Sequence, residues 1–218
     1  MNVSPLLTCG LVHFTKMRTE FIQAINTNQS AFGLTLDDAA IERLADFYDL
    51  IQEHNEFLHL VGPSTPEEFA LRHILESLTL LEHLPIGARI ADVGTGGGLP
   101  SIPCLLVRDD LRALLIETKE KKTQFLGLTV AALGISGRVE IVNKQFGEVD
   151  PANCESITCR ALDKFTERLP RLLKWRMRRQ ALLFGGPNLR DALNTQKATF
   201  TEHLMPMTEQ RYLFVVNR

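Results

Sequence analysis

The chain has few cysteines. Cys9, Cys104, Cys154 and Cys159 form no Cys-x-x-Cys pair and have no histidine interleaved at ligand spacing, which argues against a structural zinc site and for reduced thiols; no metal is expected. It has no long apolar run either. None approaches the roughly 18 residues a membrane-spanning helix needs. Leu6-Leu7-Thr8-Cys9 resembles a lipoprotein cleavage site only faintly, because Thr8 is the wrong residue before the cysteine and no Lys or Arg precedes it. No membrane association and a cytoplasmic location are therefore expected, and Met17 is a second candidate for the start of the folded unit. There is no excess of charge: 24 Lys and Arg against 26 Asp and Glu leave a formal −2, so any surface for a polyanion must be local. Internal repeats and low-complexity linkers are also missing, which excludes solenoids and arrays. A chain of 218 residues, 44% hydrophobic and 23% charged, suits one globular domain with an appendage.

What the chain does have is a change of period. From Thr35 to about Phe57, Leu36, Ala39, Ala40, Leu44, Phe47, Tyr48, Leu50 and Ile51 recur at helical spacing, with Thr35 and Asp38 as a capping signal. A second helix opens at Pro66-Glu67-Glu68 and runs to about His83. These make a helical cap over residues 34–85, after an N-terminal extension, 1–33, expected to be partly disordered. From residue 86 to 218, short apolar runs alternate with helical stretches. Strands are predicted near 89–93, 111–116, 138–142, 156–160 and 180–184, and helices near 100–107, 119–133, 164–176 and 188–197. A closing pair of strands falls near 199–205 and 211–217. Regular alternation implies an α/β fold, a mostly parallel sheet with helices on both faces and an antiparallel hairpin at one edge.

The first strand runs into Asp92-Val93-Gly94-Thr95-Gly96-Gly97-Gly98-Leu99-Pro100-Ser101-Ile102-Pro103. Glycines serve such a turn by taking backbone angles a side chain forbids and by letting a ligand approach the main chain. A nicotinamide-binding turn would want a further glycine at 99, where Leu99 stands. Glu117 follows the glycines by about 20 residues at the end of the next strand, the spacing at which an acid accepts hydrogen bonds from the ribose hydroxyls of an adenosine ligand. The bland alternatives are a flexible loop and a solvated strand-end acid. The agreement of strand, turn, helix and acid favours the ligand site, and the acid-then-glycines pattern resembles that of S-adenosyl-L-methionine-dependent methyltransferases.

Further segments are similar to those of one family, the bacterial small-subunit ribosomal RNA guanine-N(7)-methyltransferase G family, also called glucose-inhibited division protein B. His54-Asn55-Glu56-Phe57-Leu58-His59-Leu60 resembles its Trp-Asn-Lys-x-x-Asn-Leu-Thr segment. Arg72-His73-Ile74-Leu75-Glu76-Ser77 resembles its Arg-His-Ile-Leu-Asp-Ser. The glycine loop resembles Asp-Val-Gly-Thr-Gly-x-Gly-[Phe/Leu]-Pro-Gly-Ile-Pro, and Cys159-Arg160-Ala161 resembles Ser-Arg-Ala. The resemblance implies a class I methyltransferase fold, Rossmann-like, that uses S-adenosyl-L-methionine to methylate ring nitrogen 7 of a guanine in 16S ribosomal RNA, acting as a monomer on that RNA or on the small ribosomal subunit. It implies cofactor contacts at Asp92, Gly94, Gly96, Gly98 and Leu99, at Glu117, at Phe146 and Gly147, and at Arg160, which would also orient the reacting groups.

The chain departs from the family where Asn-Leu-Thr has become His59-Leu60-Val61, where Leu-Lys-Gly reads Leu183-Phe184-Gly185, and where a C-terminal Ile-Lys is Val216-Asn217. These keep two alternatives open: the same cofactor with another RNA site or a small molecule, and a non-catalytic RNA-binding relative. Missing motifs agree with a ring-nitrogen target. There is no Asn/Asp-Pro-Pro-Tyr segment of the kind exocyclic-amine enzymes use. The Pro103-Cys104 pair sits at the start of the helix after the glycine loop, which suits a packing cysteine better than a nucleophile.

For RNA contact the candidate is the stretch 160–179, where Arg160, Lys164, Arg168, Arg171, Lys174, Arg176, Arg178 and Arg179 face only Asp163 and Glu167. Lys164, Arg168, Arg171 and Lys174 recur every three or four residues and are predicted to share a helical face that tracks phosphates. A merely solvated face is the alternative, and Trp175 among them is expected in the core more than against a base. His54, His59 and His73 are expected as packing or surface residues, with His73 among Arg72 and Glu76 joining the cap to the sheet. Arg72 and Glu76 are spaced for a helical ion pair.

Overall fold

The computed structural model describes residues 5–151, 153–160 and 164–217, with side chains from residue 15 onward. The Leu6 to Cys9 side chains, Ala161 and Asp163 lie outside it. Helix α1 (Pro5–Asn28) and α2 (Asp38–Leu58) come first, then a segment made of α3 (Pro66–Phe69), a π-helical turn (Ala70–Leu75), α4 (Glu76–Leu78) and a 3-10 turn (Thr79–His83). The sheet follows: β1 (Arg89–Val93), α5 (Ser101–Val107), β2 (Arg112–Ile116), α6 (Glu120–Ala132), β3 (Val139–Val142), β4 (Ser156–Arg160), α7 (Phe165–Trp175), β5 (Gln180–Gly185), α8 (Pro187–Thr195), β6 (Phe200–Leu204) and β7 (Tyr212–Val216).

The seven strands lie in the order β3-β2-β1-β4-β5-β7-β6. The first five are parallel, and β7 runs antiparallel to both β5 and β6. Side chains alternate between faces, so one sheet builds two cores. Ile90, Ala113, Leu115, Leu182, Leu213 and Val215 face the cap, α5 and α6. Ala91, Val93, Leu114, Ile116, Ile157, Leu183, Phe214 and Val216 face α7 and α8. Chain order reverses beside β1, whose neighbours are β2 and β4, and the crevice outside the strands' carboxyl ends at such a switch point is where ligands bind in doubly wound sheets.

Three details differ from the sequence reading. The stretch before residue 34 is not a loose extension over its described part: α1 places Phe21, Ala24 and Ile25 on one face, all buried. Phe21 stacks on Tyr48 at 4.6 Å, and Phe69 meets Tyr48 edge-on at 5.0 Å, which joins α1, α2 and α3 in one aromatic cluster. The cap of α2 is Asp37, which accepts from the Ala40 amide, not Thr35. The helix expected unbroken from Pro66 to His83 opens with a capping box between Thr65 and Glu68, then widens into the π turn, where the Glu76 amide reaches back to the Leu71 carbonyl. That extra residue per turn undoes the expected Arg72–Glu76 pair. Arg72 turns instead to Glu68 at 3.8 Å, and Glu76 points into the protein, its side chain 3% exposed.

Candidate functional site

At the end of β1 the chain turns on Gly94 and Gly96, both at positive φ, 70° and 58°. The Gly94 and Thr95 amides donate to the Ile116 carbonyl at the end of β2. Gly98 is different. At φ 94° a Cβ there would lie 2.2 Å from Ile102 Cδ1, so it is a packing glycine under the loop. Asp92 is also beneath the loop. It is fully buried and accepts from Thr95 Oγ1 at 2.8 Å, and burial, countered by that hydrogen bond, pushes its carboxyl up to about 7. Gly97 completes the loop's back: a Cβ there would meet Ile51 Cδ1 at 3.0 Å and Leu60 Cβ at 3.3 Å, so the cap presses directly on the glycine turn.

Glu117 is buried at the end of β2. Its Oε1 accepts from the Thr118 and Lys119 amides at 2.7 and 2.9 Å, and its Oε2 from the Gly96 amide at 3.0 Å. An ionised carboxylate has about four lone-pair sites, and these three main-chain donors leave one open, on Oε2.

These groups line a cavity of about 410 Å³, within the range of small-molecule sites. Of the residues expected around a ligand, Gly94, Gly96, Leu99, Glu117, Phe146 and Arg160 line it, whereas Asp92, Gly98 and Gly147 do not. Gly147 lies under Arg171: a Cβ would fall 2.2 Å from the Arg171 guanidinium, which itself covers the Phe146 ring at 5.3 Å.

Arg160, at the end of β4, is tied to the cap. It donates to the Arg72 carbonyl and to Glu76 Oε2 at 3.3 Å, and lies over the Phe184 ring at 5.5 Å. Phe184 thus occupies the place where a lysine was expected. Glu76 Oε1 accepts from Arg211, in the β6–β7 loop, at 2.6 Å. One buried carboxylate therefore joins the cap, β4 and the C-terminal hairpin.

In the basic stretch the four expected phosphate contacts, Lys164, Arg168, Arg171 and Lys174, are all exposed. Lys164 precedes α7 in a left-handed conformation, Arg168 alone of the four expected phosphate contacts lines the cavity, and Arg176 and Arg179 are bound to the Arg179 and Cys154 carbonyls. Trp175 donates to the Val149 carbonyl at 2.8 Å and packs edge-on against Phe146, so it lies half-buried against the core.

Sequence reasoning missed part of the lining: Leu60, Val61, Gly62, His73, Lys119, Lys122, Lys144 and Gln145. Asn55 clamps the 59–62 loop through both its amide groups to Val61, and Lys122 Nζ donates to the His59 carbonyl at 3.0 Å. A signal existed for Lys119, Lys144 and Gln145, which follow the carboxyl ends of β2 and β3 where ligands bind in such sheets. His54, by contrast, packs on Phe125 at 5.2 Å. Among the described residues no cluster of three metal-binding side chains occurs, and no helix is long and apolar enough to cross a membrane.

Residues 40–211 match the family GidB, rRNA small subunit methyltransferase G. A ribosomal RNA small subunit methyltransferase G of Sorangium cellulosum is 38% identical over 148 residues, which cover 65% of this chain and 62% of that relative. The match thus spans a little under two thirds of the relative's own length. Among solved structures, an RNA methyltransferase from Salinibacter ruber in complex with S-adenosyl-L-homocysteine is similar with a TM-score of 0.53 at 15% identity, over 72% of this chain and 94% of that one. The B. subtilis M1A22 tRNA methyltransferase TrmK gives 0.53 at 16% identity, over 65% of this chain and 64% of that one. These structural likenesses establish a shared Rossmann-like methyltransferase fold, and the family match establishes more: this chain belongs to the rRNA small subunit methyltransferase G family.

Proposed function

We propose that the protein transfers a methyl group from S-adenosyl-L-methionine to ring nitrogen 7 of a guanine in 16S ribosomal RNA. The observation that carries the reading is Glu117: a carboxylate fixed by three main-chain amides beside a positive-φ glycine turn, with one acceptor site left open on Oε2. This arrangement fits an adenosine ribose. The sequence suggested two ribose hydroxyls on that carboxylate, and the open lone pair supports one. Gly94, Gly96 and Leu99 would lie against the rest of the ligand, with Phe146 and Gln145 beyond the ribose on the β3 side. Asp92 and Gly98 serve the loop from beneath, and Gly147 makes room for Arg171.

The bound cofactor supplies an electrophilic methyl group on a sulfonium. Ring nitrogen 7 has a free lone pair at neutral pH, so the protein need not remove a proton. Its residues have to position and exclude water, for which well-oriented groups gain up to roughly 7–11 kcal/mol in favourable intramolecular cases. Arg160, held by Glu76 and the Arg72 carbonyl, is suited to orienting the reacting groups. In this reading residues 86–218 carry the site and the 34–85 cap, braced by α1, closes it. Arg168, Lys119, Lys122 and Lys144 around the cavity and Lys164, Arg171 and Lys174 outside it meet RNA phosphates. The protein works as a monomer in the cytoplasm, on the RNA or the small subunit.

Mass mapping of 16S ribosomal RNA from cells with and without the gene tests this. One methylated guanine should disappear with the gene and return when purified protein and S-adenosyl-L-methionine are added to the unmodified small subunit. An identical modification map in both strains would contradict it.

A further inference from the structure

Glu117 and Arg160 end the two strands that flank β1, so they stand about 10 Å apart across the cavity, two strand spacings. If the adenosine lies over β2 and β3, the substrate enters on the Arg160 side. There the wall comes from the cap, and its irregular part is the π turn Ala70–Leu75. Single π turns inside helices frequently mark functional sites. Here the turn sets His73 on the cavity wall while Glu76 reaches Arg160 and Arg211 behind it.

Three features of His73 point to a ligand. Its ring is fixed, packed on Phe69 at 5.0 Å. Its Nδ1 is buried without a hydrogen-bond partner among the described residues, so the ring meets the cavity through its other edge. Burial, with the guanidinium charges of Arg160, Arg72 and Arg211, lowers its pKa to about 3, so at neutral pH the imidazole is uncharged and offers one N–H donor and one lone-pair acceptor. Its neutrality has a chemical use. In methyl transfer the ring nitrogen's lone pair forms the new C–N bond, the C–S pair stays on sulfur, and the positive charge passes to the base. An imidazolium at this wall would repel that charge, whereas a neutral ring can still hydrogen-bond the base edge.

We propose that His73 contacts the base being methylated and orients it by hydrogen bonding to its edge. The inference rests on the methyltransferase reading and adds the residue that holds the substrate. It neither takes a proton from the base nor gives one to it.

The test compares His73→Phe, which keeps a ring against Phe69 and removes both hydrogen-bonding groups, with His73→Gln, which restores a donor and an acceptor. Full-length proteins are assayed for S-adenosyl-L-homocysteine affinity by calorimetry, for melting temperature, and for turnover on unmodified small ribosomal subunits at saturating cofactor. The Phe variant should bind S-adenosyl-L-homocysteine and melt as wild type does, yet turn over about tenfold or more slowly, the Gln variant recovering much of the loss. Equal turnover by wild type and the Phe variant overturns the inference and leaves the methyltransferase reading standing. So does a loss matched by lower cofactor affinity or a lower melting temperature in both variants, which marks a packing residue. If wild type itself transfers nothing, the reading falls and the inference with it.

Discussion

The two ends of the cavity are built from different material. At the β2 end, Glu117 is held by main-chain amides of Gly96, Thr118 and Lys119, partners 21, one and two residues away. At the β4 end, Arg160 is held by Glu76, 84 residues away, and Glu76 by Arg211, 135 residues away. A wall of local backbone tolerates the loss of a side chain, because the amides retain neighbours or water. A wall of long-range buried charges does not, since removing one partner strands another.

The largest difference should appear on removing each end's carboxylate. Glu76→Ala leaves the buried Arg160 guanidinium and Arg211 without their shared counter-charge, and a broken buried pair costs about 3–5 kcal/mol. Urea unfolding should show that loss, and a cost below about 1 kcal/mol would mean that the β4 end is not the brittle one. Within the glycine turn a smaller contrast is expected. Gly98→Ala combines a left-handed backbone with a Cβ inside Ile102 and should cost about 2–4 kcal/mol. Gly96→Ala has open space, its nearest contact 3.9 Å away, and should cost about 1–2 kcal/mol for its backbone while blocking ligand approach. Equal destabilisation by the two would erase the distinction between a packing glycine and a ligand-facing one.

The smallest effect is the wild type's own response to pH, because two buried groups oppose each other. His73 falls from 6.5 to about 3 on folding, so the unfolded state binds more protons and stability is lost as pH drops from 6.5 toward 3. Asp92 rises from 3.8 to about 7, so the folded state binds more protons and stability is gained as pH drops from 7 toward 3.8. In the shared window, from 6.5 to 3.8, the two slopes cancel. His73→Phe should therefore gain stability relative to wild type on acidification through that window, and Asp92→Asn should lose it. Parallel pH profiles for the two variants would contradict both assignments.

The same contrast governs how much could be read in advance. The alternation of apolar runs predicted all seven strands within a residue or two: β1, β2, β4, β5 and β7 are buried along most of their length, and such a strand has few other ways to be written, while the more exposed edge strands β3 and β6 were placed by their spacing from the rest. The glycine turn and Glu117 were legible because their partners are adjacent in sequence or one strand away. The π turn was not: its residues, Ala70 to Leu75, have ordinary helical composition, and the widening is visible only in where Glu76 and Arg72 find their partners. The basic stretch was legible only in part, for a related reason. Counting charges could not reveal that Arg176 and Arg179 are spent on nearby carbonyls or that Lys164 lies before the helix in a left-handed turn. Helix α1 was missed because Phe21 and Ile25 gain their meaning only against Tyr48 and Phe69, on other elements.

The central claim is that the β2 end binds the adenosyl ligand and the β4 end does not. Titration calorimetry with S-adenosyl-L-homocysteine, run on wild type, Glu117→Ala and His73→Phe at neutral pH, tests it most directly. The account predicts one-to-one binding to wild type, unchanged affinity in His73→Phe, and a loss of about 1.5–3 kcal/mol in Glu117→Ala for one charge-assisted hydrogen bond. No binding to wild type, or an affinity that survives Glu117→Ala and falls in His73→Phe, would contradict it.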